Sequence, residues 1–144
     1  MPKVSVSAEA AAEPERVWQL AVDLPRYAEW LTMHDAFTGE VPATLGEGTS
    51  YKQRVKLMGM PAEMAWRVTA AEAPGRLELA GDGPMGVKAH NRFVIVASGT
   101  GSQITFEMEF NGPALAGPMA GMVEKQAGTA AQQSLAKFTA LLAA

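Results

Sequence analysis

From Lys3 to Glu9, Val4, Val6 and Ala8 alternate with Ser5, Ser7 and Glu9, which is the period of a half-buried strand. Pro14 then suits the first turn of a helix, and Val17, Trp18, Leu20, Ala21 and Leu24 recur at helical spacing. Asp23 stands where it can cap a second short helix that carries Pro25 in its first turn and Tyr27, Trp30 and Leu31 beyond. With almost nothing between them, the two helices form one bent segment. After Thr32 the helical pattern stops, and a loop or strand runs through Phe37 to Val41, broken by Pro42 and by the Gly46-Glu47-Gly48 turn.

Strand periods then follow one another. Tyr51, Gln53, Val55 and Leu57 alternate with Lys52, Arg54 and Lys56, and Met58-Gly59-Met60-Pro61 reads as a hairpin turn. Ala62, Met64, Trp66 and Val68 oppose Glu63, Ala65, Arg67 and Thr69; Pro74-Gly75 opens a turn into a short strand over 76–80; Asp82-Gly83-Pro84 opens another. A strand over 87–97 turns at Gly99-Thr100-Gly101 into the cleanest alternation of all, Ile104, Phe106, Met108 and Phe110 against Thr105, Glu107 and Glu109. Gly117-Pro118 marks the start of a long helix, with Met119, Val123, Ala127, Ala130, Ser134, Phe138 and Leu142 on one face, widened by Leu135 and Leu141. Gly128 is a weak point inside it.

The order is strand, two short helices, about six antiparallel strands and one long helix, an α+β arrangement. A meander has one apolar face that needs a cover, and the long helix is the one element large enough. A strongly twisted sheet curls around such a helix without touching it along every strand, and the two short helices plug one end. The gap left between sheet, long helix and plug is the natural place for a ligand. Tyr51, Gln53, Met64, Trp66 and Met108 face it from the strands. Met119, Met122 and Val123 face it from the helix, and Trp18, Tyr27, Trp30 and Phe37 from the plug and its exit. Each of these also reads as ordinary core.

Composition narrows the picture. The 144 residues make one domain, 1–144. With no Cys there are no disulfides, cysteine metal sites or cysteine nucleophiles, which fits a cytoplasmic protein. No apolar run approaches a membrane span, and the N-terminus lacks the core of a signal peptide, so no stable membrane insertion is expected. The twelve basic residues are scattered; Lys52, Arg54 and Lys56 share one strand face that reads as solvated, and nucleic acid is not an expected partner. The nine Met residues suit a surface that accepts varied apolar partners. Monomer and homodimer both fit.

The segment Asp23-Leu-Pro-Arg-Tyr27-Ala-Glu-Trp30-Leu31, preceded by Glu15-Arg-Val-Trp18, resembles the signature of the START-like (SRPBCC) superfamily and, within it, the polyketide cyclase/dehydrase group. The Pro74-Gly75-Arg76 turn, the Gly99-Thr100-Gly101 hairpin and the long C-terminal helix sit where that family places its own, so the resemblance covers essentially the whole chain. It implies the helix-grip fold of START and Bet v 1 type, a curved seven-stranded antiparallel sheet gripping the C-terminal helix, with two short helices after the first strand. It also implies functions ranging from aromatase/cyclase catalysis to binding or transport of a lipid, polyketide or aromatic metabolite, among which fold does not choose. A narrower likeness lies in 29–34, Gly59-Met60-Pro61 and 112–118, which resemble an actinobacterial subgroup. Some of its members carry the label of type II toxin–antitoxin toxins, a protein-interaction role.

His34 follows the second helix at the expected rim of the pocket, where an imidazole can donate, accept or move a proton near neutral pH. The plainer reading, a loop histidine satisfied by backbone or water, takes precedence. If the chain catalyses, His34 is the acid/base candidate and Tyr51, Gln53 and Arg92 the orienting groups. His90 shares one strand face with Lys88 and Arg92, the wet face unless the register is reversed. The two histidines have no metal-site spacing, and there is no nucleophile elbow, P-loop or dinucleotide fingerprint. No metal or cofactor is expected, and binding of a small hydrophobic ligand outranks catalysis.

Overall fold

The element order is β1 (Lys3–Ala10), α1 (Pro14–Ala21), a 3-10 turn (Leu24–Arg26) running into α2 (Tyr27–Trp30), β2 (His34–Phe37), β3 (Ser50–Leu57), β4 (Met60–Glu72), β5 (Arg76–Asp82), a second 3-10 turn (Pro84–Gly86), β6 (Lys88–Ser98), β7 (Gly101–Asn111) and α3 (Met119–Ala143). This computed structural model describes residues 3–42, 45–57, 59–113, 117 and 119–143, with Leu57 and Met119 described by backbone alone. The expected turn residue Met58 and helix-start residue Pro118 lie outside the described residues.

The strands form one antiparallel sheet of seven in the order β1-β7-β6-β5-β4-β3-β2. Consecutive strands from β2 to β7 pair with their neighbours, the links from β3 onward being short, while β1 pairs with the last strand from Lys3↔Glu109 to Ala10↔Ser102. The edge strands are therefore β1 and β2, and the chain between them is the bent pair of short helices. α1 lies over β6 and β7, whereas α2 lies against α3 and β2.

Two local readings change. β2 begins at His34, earlier than the Phe37–Val41 segment suggested, because the Lys56 N–H reaches the Met33 carbonyl (2.8 Å) and pairs the chain with β3 at once. Asp23 makes no side-chain cap. Its backbone carbonyl accepts from the Arg26 N–H (3.1 Å), and the buried Tyr27 hydroxyl fastens the corner by donating to the Ala21 carbonyl (2.9 Å).

α3 has 25 residues, about 37 Å at 1.5 Å per residue. It buries Val123, Ala127, Ala131, Ser134, Leu135, Phe138 and Leu142, the expected stripe with Ala131 buried in place of the half-buried Ala130. Its main supports are β1 and α2. The small Ala127 and Ala131 allow close approach, and a methyl placed on Gly128 would stand 4.0 Å from Val4 Cγ1. Thr32 clips α2 to the helix: its N–H donates to Ser134 Oγ (3.0 Å) and its hydroxyl to the Ala130 carbonyl (3.2 Å). Having settled toward the β1 edge, the helix leaves the inner face of β3–β5 to be filled by long side chains.

Cross-strand pairing shows how that space is filled. Trp66 is opposite Gly81, and the neighbouring pair Ala65↔Asp82 sets Met64 opposite Gly83. A Cβ at Gly81 would lie 2.6 Å from the Trp66 ring, and one at Gly83 would lie 2.6 Å from Met64 Sδ. The large side chains of β4 thus lie flat over the bare backbone of β5. In addition, β4 carries an extra residue between Val68 and Ala70, a bulge that bends this 13-residue strand and helps the sheet curl.

Gly81→Ala should therefore displace the Trp66 indole and destabilise the fold by about 1–3 kcal/mol, the usual cost of overpacking. Urea denaturation followed by tryptophan fluorescence would measure it, and an unchanged midpoint would refute the flat-lying ring.

Candidate functional site

A bulge in β2 decides which side chains meet. The register runs His34↔Val55, Ala36↔Arg54 and Phe37↔Gln53, so Asp35 is the extra residue. Without it, His34 and Phe37, three apart, would face opposite ways. With it, both face the side of Gln53, and their rings lie 4.6 Å apart. Asp35 turns outward into an ion pair with Arg54, which with hydrogen bonding holds its carboxyl below the ordinary carboxylate range.

Gln53 is the hub, 2% exposed in the middle of β3. The Trp66 indole N–H can only donate, and it donates to Gln53 Oε1 (3.0 Å). That points the Gln53 amide nitrogen at His34, where it donates to Nδ1 (2.7 Å). Nδ1 is therefore an acceptor, and the neutral ring carries its proton on Nε2, which has no protein partner among the described residues. Burial holds the His34 pKa below the usual value; the nearby Asp35 carboxylate pulls the other way and is the smaller influence. A second proton would bring an N–H against the Gln53 NH₂ group, so the network also disfavours the imidazolium.

Aromatic rings complete the wall. Tyr27 stands edge-on to Trp30 (5.1 Å) and 6.2 Å from Phe37, which in turn stands 5.9 Å from Tyr51. Trp30 stands edge-on to Phe93 (5.8 Å) and Phe138 (4.9 Å). Tyr27 and Tyr51 are buried, which pushes both phenols up from their usual pKa and keeps them neutral. The Tyr27 hydroxyl is engaged with Ala21, and no described residue bonds that of Tyr51.

The structure thus brings together His34, Phe37, Tyr27, Trp30, Tyr51, Gln53 and Trp66, with buried Met64 beside them on β4. Met108 and Val123 are buried too, Met108 paired with Val4 at the β1 side. Trp18 is half-buried on α1 and takes no part in the ring contacts above. Two residues do not line the interior as expected. Arg92 lies on the outer face with His90 and Lys88, paired to Glu107 (3.2 Å), because strand alternation sends it away from its buried neighbour Phe93. Met122 is 51% exposed, one helical position off the buried Val123. The Met119 side chain lies outside the described residues.

Sequence reasoning passed over Asn91, and it placed Trp30 and Ser134 only as wall and helix-face residues. Asn91 lies between the outward His90 and Arg92, so alternation alone sends it inward; its Oδ1 is buried without a partner. The Trp30 indole N–H is likewise buried and unpartnered. Ser134 shares the spacing of the apolar stripe, and only the position of Thr32 shows its use. Among the described residues, no group of His, Asp or Glu could hold a metal ion. Nor is any helix long and apolar enough to cross a membrane. Two open hollows lie outside the grip. One, of about 590 Å³, is lined by Lys52, Ala65, Arg67 and Asp82 and also by parts of Tyr51 and Trp66; the other, of about 600 Å³, lies between the start of α1 and the β6–β7 turn.

The model of the family described as "Polyketide cyclase / dehydrase and lipid transport" matches residues 1–143. The chain belongs to this family. It is 34% identical over 143 residues, 99% of each chain, to a protein named Toxin Rv0910 from Mycobacterium tuberculosis (strain ATCC 25618 / H37Rv). Among solved structures it is similar to TTHA0849 from Thermus thermophilus (TM-score 0.81, 20% identity, 99% of this chain and 97% of that one). It is also similar to a START superfamily protein from Mycobacterium smegmatis (TM-score 0.76, 19% identity, 98% and 97%). The fold of this polyketide cyclase/dehydrase family member is thus the helix-grip of START and Bet v 1 type, as its sequence implied.

Two measurements test the hub. Nitrogen NMR should find His34 with its proton on Nε2 and titrating below the ordinary histidine value of about 6.5. As pH falls, the unfolded chain takes up the proton first, so stability is lost below about pH 6.5 down through the lowered folded pKa. Gln53→Leu leaves Trp66 Nε1 and His34 Nδ1 unpaired and should cost about 1–3 kcal/mol in urea denaturation. A neutral His34 with its proton on Nδ1 would contradict the tautomer assignment, and a signal titrating at or above the ordinary value would contradict the disfavoured imidazolium.

Proposed function

We propose that the chain, acting as one domain, binds a small hydrophobic molecule such as a lipid, polyketide or aromatic metabolite between the sheet and α3. The observation that carries this reading is the inner wall of β2–β4. Large aromatic and thioether side chains there surround hydrogen-bonding groups that the protein leaves unused. Beside them the Trp30 N–H and Asn91 Oδ1 are buried without a partner among the described residues, and an interior built for stability alone would pair such groups or omit them. α3 rests on the β1 edge, so the β2–β4 side is held by side chains that can move, Met64 among them, rather than by backbone contact. Exposed Met60, Met85 and Met122 stand on the β3–β4 hairpin, the β5–β6 turn and the first turns of α3, all at the end where α3 begins. They make an adaptable apolar rim by which a ligand enters. Membership of a family described by lipid transport supports the same reading.

Binding fits better than catalysis. The lone pair of His34 Nδ1 is engaged by Gln53 and Nε2 carries the proton, so the ring offers no free base. A second reading, a toxin-type protein-interaction module, draws on the name of the 34% identical relative.

Native mass spectrometry of protein purified from its source should retain an apolar molecule, and the neutral dye Nile red should bind one to one with a blue-shifted emission. An empty protein that also excludes the dye would overturn the binding reading. Inducible expression in a bacterial host separates the second reading. Growth arrest that persists in a folded Trp66→Ala variant unable to take up dye would favour interaction over ligand binding.

A further inference from the structure

We propose that the Trp66–Gln53–His34 chain makes His34 a fixed, neutral N–H donor that selects ligands by an uncharged acceptor oxygen, as in a ketone, quinone or ester. The inference rests on the binding reading above and specifies the chemistry of that site.

The argument starts from what the interior lacks. Among the described residues the buried polar side chains are Gln53, Ser102 and Ser134, and no carboxylate, lysine or arginine is buried. An anionic or cationic head group entering there would leave water without a countercharge, a large cost. What the inner face does offer is neutral. His34 Nε2–H has no partner among the described residues, the Tyr51 hydroxyl makes no hydrogen bond to a described residue, and the Trp30 indole N–H is buried and unpartnered. These are donors; the buried acceptors left over among the described residues are Asn91 Oδ1 and, at the end of β7, Asn111 Oδ1. An acceptor-bearing, uncharged ligand satisfies them at least desolvation cost.

The selectivity is built in through a residue that never touches the ligand. The Trp66 indole cannot accept, so it dictates the orientation of the Gln53 amide, and the amide dictates the tautomer of His34. Gln53 is thus a positioning residue and His34 a specificity-determining one. The bulge at Asp35 supplies the remaining condition by bringing the imidazole to the side of Gln53.

The test uses three near-isosteric probes displacing Nile red: 2-acetylnaphthalene, 2-ethylnaphthalene and 2-naphthoate at pH 8. One added hydrogen bond predicts that the ketone binds about 3–10-fold more tightly than the ethyl compound, and more tightly still than the carboxylate. His34→Leu, with its fold checked by thermal melting, should erase the ketone's advantage over 2-ethylnaphthalene. Gln53→Glu places an acceptor opposite Nδ1, so that nitrogen takes a proton and the ring becomes an imidazolium. The ketone's advantage over 2-naphthoate should then narrow or reverse, with a matching change in the His34 nitrogen shifts. If wild-type protein binds all three probes equally, prefers 2-naphthoate, or keeps its ketone preference in His34→Leu, this proposal fails while ligand binding stands. If Nile red and all three probes fail to bind, the binding reading falls and the proposal with it.

Discussion

A curled antiparallel sheet with one apolar face can persist in water only if that face is covered, and everything else in this chain follows from how α3 covers it. The helix has one side to offer, and its small residues Ala127 and Ala131 let it settle against β1 rather than stand over the middle of the sheet. Thr32 and Ser134 then bind α2 to its flank. Once the cover is placed off centre, the strands farthest from β1 must bury their inner face by other means. They do so with Tyr51, Gln53, Met64 and Trp66, with Trp66 laid over Gly81 of β5 and Met64 over Gly83 just beyond it.

That off-centre cover makes the β2–β4 side chemically distinct. Around β1, β6 and β7 the interior is mainly an apolar core of Val4, Phe93, Ile104, Phe106 and Phe138, with Phe93 and Phe106 stacked at 4.7 Å and Asn91 and Ser102 as polar exceptions. Around β2–β4 it holds a chain of hydrogen bonds that ends on an imidazole with one N–H left over. In a low-dielectric setting an unpaired polar group is costly, and the Trp30 N–H and Asn91 Oδ1 are both buried without a partner among the described residues.

Much of the architecture was legible because it depends on local physics. Alternation over 103–110 and 62–69, the turns at Pro74-Gly75 and Gly99-Thr100, and the spacing of Val123, Ala127 and Phe138 on α3 each reflect a two- or 3.6-residue period meeting one buried side. The family signature over 15–31 supplied the strand count and the grip. The site was legible in part. Gln53, Tyr51 and Trp66 share inward parity in their strands, and Asn91 could have been found the same way from its outward neighbours. Arg92 was misplaced as an orienting group despite that alternation, and Met122 because a helical face one position wide cannot be drawn from spacing alone.

The amino-acid sequence by itself determined most of the elements, their order and the buried face of the strands with clean alternation, since periodicity and turn chemistry act over a few residues. Tertiary structure decided three things. It decided that a bulge at Asp35 brings His34 and Phe37 to the same side, that Trp66 orients Gln53 and so sets the tautomer of His34, and that α3 leans on β1. Each depends on groups distant in the chain meeting at a few ångströms, where one inserted residue in a strand reverses a side chain and one indole that can only donate settles an amide. Such outcomes belong to register and packing, which no local period encodes.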